Sequence, residues 1–144
     1  SLVNQTPLVK GVNDDPEVLA ELFSKLSYIG VPPYYVFLCR PTLGNETYSV
    51  PIERGYEIFE KSRTLCSGLA KRARLVMSHE SGKIEVLGMS EDQIFFKFLR
   101  AANKTDNARF LAFFRNPEAC WFDDYKEALD EFSLFSETTK IGCL

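Results

Sequence analysis

Apolar positions recur along this chain in two rhythms, and the switches between them mark its elements. Leu2 to Val9 reads as a short strand, ended by the turn chemistry of Lys10 to Asp15. Asp15 then stands as a cap before Pro16, a suitable first helical residue. Leu19, Leu22, Phe23 and Leu26 return every three or four positions, which predicts a helix closed by Gly30. Tyr34 to Cys39 is a continuous apolar, aromatic run of strand length, the pattern of a strand covered on both faces in a parallel sheet. A polar loop from Arg40 to Ser49 leads to Pro51, after which Ile52, Tyr56, Phe59 and Arg63 mark a second amphipathic helix, running to about Leu65 and closed by Ser67-Gly68. Arg74 to Met77 reads as a third strand, and Gly82 separates it from Lys83 to Leu87, where charged and apolar residues alternate. Gln93 to Arg100 and Arg109 to Phe114, joined by Asn103 to Asn107, predict an aromatic-rich antiparallel hairpin. Tyr125 to Phe135 has helical spacing, and Ser136 to Leu144 has no periodicity.

This order predicts an α/β fold: a fragment of a parallel (βα) partial barrel, strand-helix-strand-helix-strand, followed by an antiparallel hairpin and a C-terminal helix. The barrel part is expected over residues 1–88, and the hairpin and tail over 89–144. Two crossover units place three parallel strands side by side, and the outer two would show unpaired backbone groups unless something covers them. The expectation is that the missing neighbour lies upstream in a longer parent chain. A self-contained alternative needs the hairpin to cover an edge, or two copies to pair edge to edge.

Composition narrows the class. At 45% hydrophobic and 26% charged, the 144 residues can bury a real core. The longest apolar runs fall far short of the roughly 20 residues that cross a bilayer, so no membrane segment is expected. The first residues, Ser1 to Gln5, lack the features of a secretory leader, and the expected location is cytoplasmic. A net charge of -3 argues against a nucleic-acid partner, because Lys71-Arg72-Ala73-Arg74 is the one dense basic run and has no interleaved aromatics. Cys39, Cys66, Cys120 and Cys143 form no CxxC and have no histidine pair nearby, so no metal site within the chain is expected.

Few residues stand out chemically. His79, the single histidine, sits between Ser78 and Glu80, but neighbours in a strand point to opposite faces and cannot converge as a catalytic triad. Lys83 after Gly82 reads on its own as a solvated lysine beside a turn glycine, and Tyr34-Tyr35 as core aromatics at the head of a strand.

A resemblance changes that weighting. Leu2-Val3-Asn4-Gln5-Thr6-Pro7-Leu8 followed by Lys10-Gly11-Val12-Asn13-Asp14, then Pro33-Tyr34-Tyr35, Thr42-Leu43-Gly44, Ser67-Gly68 and Gly82-Lys83-Ile84, resembles the C-terminal part of the lysine 2,3-aminomutase family. The blocks cover roughly residues 2 to 88; the remainder is similar only as a hairpin-bearing tail. The resemblance implies a parent enzyme, an isomerase built on a radical-SAM partial barrel. Such an enzyme uses a 4Fe-4S cluster, S-adenosylmethionine and pyridoxal phosphate to move an amino group between adjacent carbons of an amino acid. It implies that Lys83 is the catalytic lysine that holds pyridoxal phosphate, a bond that needs a neutral amine. It also places Asn4, Gln5, Tyr34 and Tyr35 near the cofactors. The CxxxCxxC loop that binds the cluster in the family is absent from these residues, so the fragment alone is expected to be inactive and to retain no cofactor.

Two departures bear on substrate. Where lysine-specific members carry an aspartate after the cysteine of the central strand, Cys39 is followed by Arg40; a second family aspartate falls near Glu80. A cationic substrate tail would meet Arg40 unfavourably, which implies an anionic or neutral side chain and not free lysine. Asp15 replaces a cysteine that binds an inter-subunit zinc in some members, so no structural zinc is expected, although a homo-oligomer is. Two other readings stand beside this one. The chain could be a binding or dimerisation module using Phe95, Phe96, Phe98, Phe110, Phe113 and Phe114 as its contact surface, or part of a radical-SAM enzyme acting on a protein lysyl group.

Overall fold

The structure is a computed structural model, and it describes residues 1–125 and 128–131. Strand β1 (Asn4–Leu8), helix α1 (Pro16–Tyr28), strand β2 (Pro33–Leu38), helix α2 (Ile52–Thr64) and strand β3 (Arg74–His79) follow the predicted order. Strands β4 (Gly82–Met89), β5 (Gln93–Ala101), β6 (Phe110–Phe114) and β7 (Ala128–Glu131) complete a single sheet in sequential order. The pairs β1–β2 and β2–β3 are parallel, and every later pair is antiparallel. The fold is thus α/β with a mixed sheet. The outer side of β3 is paired by β4, and β1 has no strand beyond it among the described residues. Among the described residues, no helix is long and apolar enough to cross a membrane.

Local chemistry sets the helix ends. The Asp15 carboxylate accepts from the N–H groups of Glu17 (2.8 Å) and Val18 (3.2 Å), so α1 begins with its free donors satisfied. Both helices pack on one face of the parallel strands, where Leu8, Val36, Leu38, Leu75 and Met77 are buried and the Phe23 and Phe59 rings meet edge to face at 6.5 Å. Gly55 allows α2 to settle this close: a Cβ there would lie 2.7 Å from Leu38 Cδ2.

Beyond β3 no helix among the described residues covers this face. Ile84, Val86, Ile94, Phe96, Phe98, Leu111 and Phe113 continue the core, and the segment around Trp121, Phe122 and Tyr125 caps it, with the Phe122 ring 5.3 Å from Phe96 and 5.5 Å from Phe113. This segment is held at the start of α2 by Glu53, a buried carboxylate that accepts from Arg115 Nε (2.7 Å), the Asn116 N–H and the Tyr125 hydroxyl (3.1 Å).

Two expectations are corrected. The helix anticipated over Tyr125 to Phe135 is not formed at residues 128–131, which pair with β6 as a strand, because a sheet edge offers those residues a ladder of backbone partners that outweighs weak helical spacing; residues 132–135 lie outside the described residues. The six-phenylalanine contact surface is also divided: Phe96, Phe98 and Phe113 are core, because alternate residues of a strand point to opposite sides. Phe114, by contrast, is exposed.

Candidate functional site

Among the described residues, the sheet's second face carries no helix. Strand alternation and register place Gln5 and Pro7 of β1, Tyr35 and Phe37 of β2, Arg74, Val76 and Ser78 of β3, Lys83 and Glu85 of β4, and Lys97 of β5 on this face. Val76 apart, the buried core residues of the same strands belong to the other side. Lys83 lies opposite Ser78, one residue from the C-terminal end of β3.

Its position follows from the hairpin that carries it. The turn between β3 and β4 ends at Gly82, which has φ +135°, and a Cβ there would meet the Arg100 carbonyl oxygen at 2.1 Å. Only glycine permits β5 to approach so closely. The half-buried Lys83 side chain then runs back across β3, bringing Nζ to 4.2 Å from the Tyr35 ring centroid and 5.7 Å from that of Phe37. Tyr34 stacks obliquely on Tyr35 at 4.2 Å, and burial, with Tyr34 adding to it, pushes the Tyr35 phenol above its ordinary range. Burial likewise raises the Glu85 carboxyl, against the opposing influence of Arg74 and Lys97.

The structure brings some of the anticipated residues together and separates others. Lys83 and Tyr35 are in contact, and Gln5 stands opposite Tyr35 on the same face. Asn4 turns away: its Oδ1 accepts from the hydroxyl of Thr6, whose side chain belongs to the helix-covered side. Arg40 is exposed in the loop leaving β2, where its carbonyl accepts from Asn45 Nδ2 at 3.2 Å. Glu80 is exposed in the β3–β4 turn and lies beside His79 and Asp123, with the potential ligand atoms of the three within 4.8 Å of one another.

That last grouping has no counterpart in the sequence pattern, because Asp123 is 44 residues from His79. His79 Nδ1 accepts from the Ser81 backbone N–H (3.1 Å) and faces the Ser81 hydroxyl (2.6 Å), so Nε2 carries the proton and donates to Asp123 Oδ1 at 2.6 Å. A protonated Nε2 presents no lone pair to a metal ion. The imidazole, packed against Trp121 and Phe122, instead fastens the C-terminal segment to the β3–β4 turn.

What the fold and this face define is a mixed α/β sheet that presents, from a position near the C-terminal end of β3, a lysine over the aromatic rings of β2. The chain is 56% identical over 132 residues to a putative L-lysine 2,3-aminomutase of Aquifex aeolicus, a match covering 92% of this chain and 35% of that protein. It is 45% identical over 67 residues to L-lysine 2,3-aminomutase of Clostridium subterminale, covering 46% of this chain and 16% of that protein. Against glutamate 2,3-aminomutase of Clostridioides difficile it is 33% identical over 81 residues, 56% of this chain and 19% of that protein. No family model matches the chain. The chain belongs to the lysine 2,3-aminomutase family, and it spans about a third or less of the length of these curated relatives, as a C-terminal segment of the family would.

Proposed function

We propose that this chain is the C-terminal segment of a radical-SAM, pyridoxal-phosphate-dependent aminomutase-like enzyme, and that Lys83 is the residue that binds its pyridoxal coenzyme. The observation that carries this reading is the placement of Lys83 opposite Ser78, near the C-terminal end of β3, with its amine reaching back over Tyr35, in a chain with this family membership. Ligands of open α/β sheets and barrels gather at that end.

The residues present suit the coenzyme. They offer a primary amine for its aldehyde, aromatic rings beside that amine, and cationic side chains nearby in Arg74 and Lys97. Bound there, pyridoxal phosphate would supply the conjugated system that carries the migrating amino group. Lys83 would anchor it and release it to the substrate amine, Tyr35 and Phe37 would shield the amine from water on one side, and Gly82 would keep the anchoring strand against β5. The 4Fe-4S cluster does not suit this chain's described residues: their one group of three potential metal ligands, His79, Glu80 and Asp123, contains no thiol. The cluster therefore belongs, on this reading, to residues outside this segment.

The relatives' names include both a cationic and an anionic amino acid, so the family alone does not choose the substrate. Arg40, in the loop after β2, favours an anionic or neutral side chain over free lysine. Borohydride reduction of the coenzyme-loaded full-length protein is expected to fix the coenzyme on the peptide containing Lys83. Label on any other lysine overturns the assignment.

A further inference from the structure

Lys83 and Arg100 stand directly opposite each other across β4 and β5. Strand alternation by itself does not produce this pairing. Ile84 is opposite Phe98, and the preceding residue of β4, Lys83, is opposite Arg100, so β5 holds one extra residue, Leu99, in a bulge. A bulge of this kind re-aims the side chain that follows it.

Like charges directly opposite on a sheet repel. Elsewhere on this face the chain answers its charges: Lys97 is opposite Glu85, and Arg74 acts on the same carboxyl. Lys83 and Arg100 have no such answer, since among the described residues neither takes part in an ion pair. Between them lies a depression of about 310 Å³, lined by Ser78, His79, Gly82, Lys83, Arg100 and Ala101. Ser78 brings a hydroxyl to the same depression.

We infer that Arg100 receives an anionic oxygen group, a phosphate or a carboxylate, held beside Lys83. The inference deepens the reading of Lys83 as the coenzyme lysine and rests on it. A guanidinium suits either anion because its forked donors match both in a bidentate fashion. The two sources are the phosphate of the coenzyme and a carboxylate of the substrate, and they separate in one experiment.

The full-length protein and its Arg100→Gln variant are titrated with pyridoxal phosphate and with pyridoxal, following the absorbance of the bound chromophore. The loaded proteins are then titrated with glutamate and with alanine. If the group is the phosphate, Arg100→Gln weakens pyridoxal phosphate binding ten- to a hundredfold and leaves pyridoxal unchanged. If it is the substrate carboxylate, coenzyme binding is unchanged and glutamate binding weakens by a similar factor, with alanine less affected. Arg100→Lys restores part of the loss in either case, and matching circular dichroism spectra establish that the variants fold. Unchanged binding of all four ligands, with borohydride label still on Lys83, overturns this inference alone. Label on a different lysine overturns the reading beneath it.

Discussion

The Lys83 ammonium lies 4.2 Å from the centroid of the Tyr35 ring, two strands away across β3. The ring holds the side chain along the sheet and limits its swing into solvent. Tyr35→Phe keeps the aromatic face and should leave stability within about 0.5 kcal/mol, whereas Tyr35→Leu should lose about 0.5–1 kcal/mol beyond any packing change. Urea denaturation of both variants checks this, and equal effects would show that the ring face does not matter.

Gly82→Ala tests the close approach that positions the lysine. With φ at +135° and a Cβ placed 2.1 Å from the Arg100 carbonyl oxygen, the strand must move. A loss of about 2–4 kcal/mol is expected in denaturant unfolding, together with changed amide exchange in β4 and β5. A variant as stable as the parent would refute the backbone contact.

Glu53 binds the C-terminal segment to α2 through three donors. Arg115→Ala removes the charged one and leaves a buried carboxylate short of a partner, which should cost about 3 kcal/mol. The combined Arg115→Ala and Glu53→Gln variant should recover part of that loss, because the uncompensated charge is gone. Strictly additive losses would count against this account.

The Glu85 carboxyl titrates above its ordinary range because it is partly buried. Its protonated form is favoured more in the folded chain than in the unfolded one. Its contribution is therefore most favourable below the ordinary carboxylate pKa and declines as the pH rises through the raised folded value. Glu85→Gln should flatten stability over that mildly acidic window and make the chain more stable at neutral pH. A steeper profile in the variant would contradict the sign.

Asp123→Ala removes the acceptor for His79 Nε2. The expected result is a loss of about 1–2 kcal/mol and faster amide exchange around Trp121 and Tyr125, while β1 to β3 keep their protection. Uniform loss of protection would place the effect in the whole domain.

Sequence pattern disclosed the crossover half of this fold because each signal was local. Asp15-Pro16 starts a helix whatever else the chain does, Gly30 ends it, and a continuous run such as Tyr34 to Cys39 has few alternatives to a central strand. The hairpin was also readable, from two aromatic runs and a polar turn. The short β7 was not, because four residues become a strand only when β6 presents its edge. The pairs that matter at the site escaped for the same reason. Lys83 meets Tyr35 through a fold that brings together positions 48 apart in sequence, Asp123 reaches His79 across 44 residues, and the Leu99 bulge depends on how β5 settles against Gly82. Nothing in the sequence sets Glu53 apart from the other charged positions of α2, since its donors come from Arg115, Asn116 and Tyr125, far along the chain.

The irregularities on either side of Ile84, Glu85 and Val86 acquire their meaning from the geometry of a pleat. A slip of one residue along β4 would carry every side chain to the reverse side and bury an ammonium among phenylalanines. One surplus residue on β5 at Leu99 and another on β4 at Leu87 act as two stops on a slide, fixing the strand in the one setting that keeps its amine facing the aromatic rings.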